Sequence, residues 1–396
     1  MTAGPSDRLT TVTCPDCGDT VPVGVFCGAC GAHLTSRAGT PGLRSHAYAA
    51  APGEHVLRVS VVSSLFPHLP HRSRAPFRSA LVLLAALLVL LAVMHWQAAL
   101  VAAAALGFPL LFQLYLQEAD VYEDLPAPRL LVGAASGALL GWGWSLLTAH
   151  TVSDALGAGL LGGISAHEIM LDGILIPLGG LLLMLVPAVL LRLLARERGE
   201  SLDGFLFGAV GALAFTVAAT LTRLEPQLRT GLVAHDRTAS SLLVEALLQG
   251  GAVPLTAAGI GGVVGATLWV RRHGRVHPGR LFTSPALAVA AGAALYVVLG
   301  LVDVWQPGEG ALLGLHAIGA AAALLALRLG VHAVLLHEEH DVRIGPPGVC
   351  PHCEQVVPRM PFCPHCGTAT RAASRSRRAE LSLPVQPEPA TGGKNS

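Results

Sequence analysis

Eight cysteines carry the most definite chemistry in this chain, and they fall into two groups of four. Cys14, Cys17, Cys27 and Cys30 read CxxC, nine intervening residues, CxxC; Cys350, Cys353, Cys363 and Cys366 repeat that spacing without change. A CxxC turn presents two thiolates on one side of a tight bend, and two such turns complete the sulfur tetrahedron that structural zinc prefers. Four sulfurs leave no open coordination position, so the pattern predicts two structural Zn2+ sites rather than catalytic ones. His352 and His365 fall inside the second group, where four sulfurs already satisfy the ion, and are expected at the surface.

The two groups also share Pro15 and Pro351, Val21 and Val357, Pro22 and Pro358, Phe26 and Phe362, and Gly31 and Gly367, which makes them copies of one repeat. Each resembles a short zinc ribbon of the widespread bacterial type. Two other chemistries use related spacings. A disulfide framework requires an oxidising compartment, which the orientation derived below does not give. The "CPHC" stretches look like thioredoxin-like redox motifs, but those need a βαβ setting that so short a segment does not supply. Ribbons of this kind present a surface to a partner protein without identifying it.

The elements that must carry these ribbons are apolar. Of 396 residues, 52% are hydrophobic and 13% charged, with mean hydropathy +0.58, against about 25% charged in a soluble domain. Runs near 79–95, 98–116, 129–148, 173–194, 203–222, 246–270, 284–305 and 311–336 are each long enough to cross a bilayer, which takes about 20 apolar residues. They predict an all-α polytopic membrane protein of about eight transmembrane helices with a small zinc-ribbon module at each terminus. The stretch 152–170 reads as an amphipathic or re-entrant segment. Pro109, Pro177, Pro187 and Pro254 lie within spans and are expected to kink or break them. The stripes Gly133, Gly137, Gly141; Gly204, Gly208; and Gly261, Gly265 allow close helix packing.

Arginine placement sets the orientation. Arg72, Arg74 and Arg78 precede the first span, Arg192, Arg196 and Arg198 follow the fourth, and Arg271, Arg272, Arg275 and Arg280 follow the sixth, so these loops are expected in the cytoplasm. The loops at 95–97, 149–172 and 306–310 carry no Lys or Arg. Arg223, Arg229 and Arg237 break the pattern. No signal peptide precedes the first span, which is expected to act as the insertion signal. An even span count then puts both termini in the cytoplasm of a multi-pass cell-membrane protein, where the ribbons can pair with each other or clamp one partner. Lys394 is the only lysine, a composition expected of a GC-rich, bacterial coding sequence. The chain divides into an N-terminal ribbon (1–36), a polar and basic linker (37–78), the bundle (79–336), a linker (337–347), the C-terminal ribbon (348–370) and a Pro-rich tail (371–396) expected to be disordered. In that tail Arg371, Arg375, Arg377 and Arg378 read as solvated.

From "LYLQEADVYEDLPAPRLLVGAASGALLGWGW" through "LLRLLARERGESLDGFLFGAVGALAF", the core resembles the PrsW-type intramembrane metalloprotease family over about residues 98–305. Asp120, Tyr122, Glu123 and Pro126 match that family's acidic, aromatic interfacial loop. The resemblance implies a metal held by glutamates and histidines on neighbouring spans, activating water where bulk water is scarce. Here the expected glutamate pair falls on Gly180 and Leu181, the glutamate after Phe215 is Ala219, one histidine falls near Pro254 and the last falls at "GLVDVW" around Asp303. The departures point to a noncatalytic relative, a pseudoprotease.

Other residues are candidates for a site. His167, Glu168 and Asp172 form "HEIMLD", which lacks the second histidine of a zinc-protease helix and reads as a polar interfacial loop. His316 lies within the eighth span, His332 near its end, and "HEEHD" at His337 to Asp341 reads as a solvated helix terminus. Glu118, Asp120, Glu123 and Asp124 read as a charged interfacial loop. The reading is a membrane-bound interaction or regulatory scaffold whose partners are the lipid bilayer and cytoplasmic proteins, with no nucleic-acid role. The enzyme alternative is an active intramembrane metalloprotease with a relocated site drawing on His167, Glu168, Asp172 and His316. A transporter or channel component is a third class, for which paired intramembrane charges are expected.

Overall fold

A segment that leaves water for lipid has to satisfy its backbone polar groups internally, and the apolar runs do this as helices. A computed structural model describes residues 10–34, 75–118, 125–158, 166–194, 199–230, 237–270, 284–338 and 344–380. Strands β1 (Thr11–Thr13) and β2 (Thr20–Pro22) pair antiparallel and precede the bundle. Then come α1 (Ala75–Val93), α2 (Gln97–Glu118), α3 (Ala127–Ala158), α4 (Ala166–Leu194), α5 (Ser201–Thr230), α6 (Ala239–Trp269), α7 (Pro285–Trp305) and α8 (Glu309–Glu338). Strands β3 (Pro347–Val349) and β4 (Val356–Pro358) repeat the first hairpin, and a short α9 (Arg375–Glu380) ends the described chain.

All eight long helices are apolar enough to cross a membrane. Consecutive helices run in opposite directions, so α1, α3, α5 and α7 start on the face that carries the ribbons and end on the far face. Contacts between helices fix this alternation. Gln97, at the start of α2, donates to Glu245 near the start of α6 at 2.9 Å. At the opposite end Arg192 of α4 donates to the Leu268 carbonyl of α6 at 3.1 Å and lies 5.7 Å from the Trp269 ring. Both ribbons therefore belong to one face.

Helices α5 and α6 form the axis of the bundle: 78% of each is buried, against 11% of α1 and 17% of α7, whose leucines and valines face outward. Their closeness rests on small residues. A Cβ on Gly208 would overlap the Gly261 carbonyl, and one on Gly261 would lie 2.5 Å from the Gly208 carbonyl oxygen. Helix α3 lies along the other side of α5, where the Ser145 hydroxyl donates to the Ala219 carbonyl at 3.2 Å. All three glycine stripes read from the sequence lie at such contacts, with Gly133, Gly137 and Gly141 meeting Leu191, Gly211 and Phe215.

The prolines act in two ways. Pro109 and Pro187 sit inside continuous helices. Pro177 and Pro254 each follow a π-helical stretch, Ile169–Leu175 and Leu248–Ala252, closed by Ile176 N–H to the Leu171 carbonyl and Val253 N–H to the Leu248 carbonyl. A proline ring clashes with the carbonyl four residues back, and the wider turn removes the clash without ending the helix.

Three expectations change. Residues 152–158 continue α3, and "HEIMLD" is the start of α4 rather than a loop. Residues 371–380, expected as a disordered, solvated tail, complete a 3₁₀ turn begun at Thr370 and form α9, docked on the bundle because Glu200 and Asp203 at the start of α5 offer carboxylates to Arg378 and Arg375. The far-face arginines that broke the orientation pattern are matched by acids: Arg229 pairs with Glu225, Arg237 with Glu245 and Glu309, and Arg223 faces Asp303. Arg72, Arg74, Arg196, Arg198, Arg271, Arg272, Arg275, Arg280, Asp120, Tyr122, Glu123, Asp124 and residues 339–341 lie outside the described residues.

Substituting Gly261→Leu forces a branched side chain into the α5–α6 contact. It is expected to destabilise the bundle by about 3 kcal/mol or more, read as a lower melting temperature in detergent, whereas Gly314→Leu, in open space, should melt like the parent.

Candidate functional site

Each cysteine group closes into one cluster whose four sulfur ligands lie within 4.8 Å of one another. Cys14 and Cys30 sulfurs are 3.8 Å apart, Cys17 and Cys27 3.8 Å, Cys350 and Cys366 3.8 Å, and Cys353 and Cys363 3.9 Å. A disulfide is about 2.05 Å, and all eight are free thiols. A tetrahedron with metal–sulfur arms of about 2.3 Å has edges of about 3.8 Å, so the spacing fits a four-coordinate metal ion. His352 and His365 are exposed.

Local backbone geometry sets this spacing. In each knuckle the fourth residue after the first cysteine returns its N–H to that cysteine's carbonyl: Gly18 to Cys14 at 3.0 Å, Gly31 to Cys27 at 2.8 Å, Glu354 to Cys350 at 3.0 Å and Gly367 to Cys363 at 2.8 Å. All four adopt positive φ, from 57° to 77°. Glycine reaches that conformation freely, while Glu354 holds it at a cost of roughly 1 kcal/mol. The bridges Phe26 to His33 and Phe362 to Ala369 close the second turn of each ribbon.

Crowded sulfurs divide charge unevenly. A hydrogen bond from Cys30 pulls the Cys27 thiol down to about 5, while burial pushes Cys17 up to about 12. In the second cluster, hydrogen bonding from Cys350 lowers Cys366, while bonding to Cys363 first and Cys366 second raises Cys350. Only a bound cation lets four thiolates share so small a volume.

The two ribbons pair with each other across a pseudo-two-fold axis. Phe26 N–H donates to the Pro364 carbonyl at 3.0 Å, and the matching Phe362 N–H donates to the Gly28 carbonyl at 2.9 Å. The Phe362 ring packs on Gly31, and the Phe26 ring packs on the equivalent Gly367. An isologous contact of this kind is what two copies of one fold make when they associate. Elsewhere the copies are complementary rather than identical: Met360 lies on Gly28, and at the symmetry-related contact Pro364 lies on Gly24. Val25 N–H adds a bond to Pro364 at 2.9 Å, for which Pro361 has no counterpart donor.

The paired module is seated on the bundle. Phe362, Ala369 and Ala373 join the main buried core, Arg375 meets Asp203 at 3.2 Å and Arg378 meets Glu200 at 2.7 Å. Asp203 also accepts the Glu200 N–H at 2.9 Å.

At the far face lies a cavity of about 340 Å³ lined by residues from α3 to α8, among them Trp144, Asp172, Gly180, Phe215, Ala219, Arg223, Gln249, Asp303 and His316. His316 is buried and its Nε2 lies 2.8 Å from Asp303 Oδ1. Asp172 and His316 thus share a cavity, whereas His167 is exposed and neither it nor Glu168 lines it. Among the described residues, the two cysteine clusters are the groups in which three or more metal-capable side chains converge. Arg223, Gln249 and Asp303 went unread as one site because each stands alone in its own span.

No family model matches this chain, and no curated protein or solved structure matches it. The chain is a multi-pass helical protein with two metal-binding clusters of four cysteines each.

Protons compete with the metal for the thiolates. Acidifying the purified protein should release about one metal ion per cluster and separate the ribbons. Chelator-dye release that rises steadily as pH falls is the expected record, and a metal content constant down to pH ~3 would contradict thiolate ligation.

Proposed function

We propose that this protein is a noncatalytic membrane scaffold. Two cytoplasmic zinc ribbons form its partner-binding head, and the bundle beneath is a relative of the PrsW-type proteases that has lost their chemistry. The observation that carries this reading is the reciprocal ribbon pairing on the start of α5. It joins both chain ends into one metal-dependent module on a single face. A groove of about 510 Å³ runs between the ribbons, with Val23, Val25 and Val356 exposed along it. That is a surface suited to a protein partner rather than to a polyanion.

Several features support the protease relationship. Gly180, Ala219 and Asp303, where the family's metal ligands would fall, line one cavity, with Val253 and Thr256 beside Pro254. The loss of chemistry has its own physical support. A Cβ on Gly180 would lie 3.2 Å from the Trp144 indole nitrogen, so the ring takes the space that a glutamate side chain needs. Arg223 faces Asp303 and supplies the positive charge a metal would bring. Zinc is the ion that best suits a closed four-thiolate site, and the arginines of α4 and α1 on the ribbon face agree with a cytoplasmic location.

The test is elemental analysis of detergent-purified protein beside a variant with all eight cysteines changed to serine, together with incubation of both with membrane-helix substrates. About two zinc ions per chain falling to none, with no cleavage by either protein, is expected. Metal that persists in the cysteine-free variant, or cleavage abolished by Glu168→Ala or His316→Ala, would move an active protease to the front.

A further inference from the structure

The far-face cavity holds more polar chemistry than packing requires. One guanidinium, Arg223, shares the cavity with two carboxylates, Asp303 and Asp172, within a wall that otherwise includes Trp144, Phe215 and Leu299. Asp303 is engaged by His316 at 2.8 Å. Two acceptors are left over. Asp172 Oδ1 and His316 Nδ1 are buried without a hydrogen-bond partner, and His316 as a whole is only 5% exposed. In the tautomer whose Nε2–H donates to Asp303, Nδ1 is an acceptor. A carboxylate oxygen left bare at membrane depth is costly, and such groups mark ligand sites.

The backbone points to the same place. Both π-helical stretches border this cavity, the first through Asp172 and the second through Leu248 and Gln249. π-Turns are rare and concentrate at functional sites. Pro177, which lines the cavity, and Pro254, next to its wall residue Val253, account for the position of the two turns.

We propose that this cavity binds a primary ammonium group. An ammonium carries N–H donors for both bare acceptors. Its charge balances the second carboxylate, and the Trp144 and Phe215 rings line the same cavity. A quaternary ammonium has the charge but no N–H, so it leaves Asp172 and His316 unsatisfied. The volume, about 340 Å³, is in the range of small-molecule sites. At the far end of the spans, the ammonium can arrive on a lipid headgroup or on a free amine. The site is independent of the ribbons, so the scaffold reading and this inference stand or fall separately.

The test uses the full, metal-loaded chain in detergent. Calorimetric titrations with ethanolamine and with short-chain phosphatidylethanolamine are each set beside the trimethylated counterpart, choline or short-chain phosphatidylcholine. At least one ammonium probe should bind, with its counterpart weaker by about tenfold or more, the worth of a charge-assisted hydrogen bond. Asp172→Asn should weaken the ammonium probe by a similar factor at unchanged metal content. Binding of both amines assigns a free amine, and binding of the lipid alone assigns a headgroup. Absence of heat with either amine, equal binding of the trimethylated partners, or full affinity in a folded Asp172→Asn chain would overturn the proposal. Should Asp172→Asn fail to fold, the comparison of ammonium with trimethylammonium on the parent chain decides alone.

Discussion

The architecture depends on the contact between two metal-dependent ribbons at opposite ends of the sequence. Neither ribbon is large enough to hold itself together by apolar burial. Each uses four sulfurs at 3.8–3.9 Å to fix a pair of tight turns, and those turns present the edges that pair. Phe26 and Phe362 N–H groups cross to the partner ribbon while their rings fill the space above Gly367 and Gly31. Adding side chains at those glycines would separate the ribbons, and losing the metal would remove the turns that align them.

The module is anchored to the helix on which the bundle itself is built. Helix α5 receives Arg375 at Asp203 and Arg378 at Glu200, just before its first residue, then passes Gly208 against Gly261 and places Arg223 in the far-face cavity. Packing along it is tight because backbones, rather than long side chains, are in contact, which is how helices associate in lipid. Exposed Trp96, in the turn between α1 and α2, and Trp305, at the end of α7, lie on the far face, as interfacial aromatics do. The arginines there are matched by Glu225, Glu245, Glu309 and Asp303.

Local features were legible in the sequence and long-range ones were not. The eight spans lie close to their expected positions because hydropathy and length are properties of one segment, and the cysteine spacing gave both clusters for the same reason. The pairing of the ribbons left only a trace, namely that the residues shared between the copies include Phe26 with Phe362 and Gly31 with Gly367, four of those that make the contact. The docking of Arg375 and Arg378 was hidden because their carboxylate partners lie far away in sequence. The cavity was hidden for a similar reason: Asp172, Arg223, Gln249, Asp303 and His316 come from five spans, and a single polar residue in a span has several explanations. Pro177 and Pro254 were recognised as breakers, but that each would be absorbed by a π-turn depends on neighbours that no local pattern encodes.

The most direct test of the paired module is a distance measured across it. Spin labels introduced as unnatural amino acids at exposed Val23 and Val356 leave every cysteine free for metal, and pulsed electron resonance reads their separation in the purified chain. Metal-loaded protein should give one narrow distribution that broadens on chelation. A broad distribution in the metal-loaded protein, unchanged by chelation, would mean that the ribbons move independently and that the two ends of the chain form no common module.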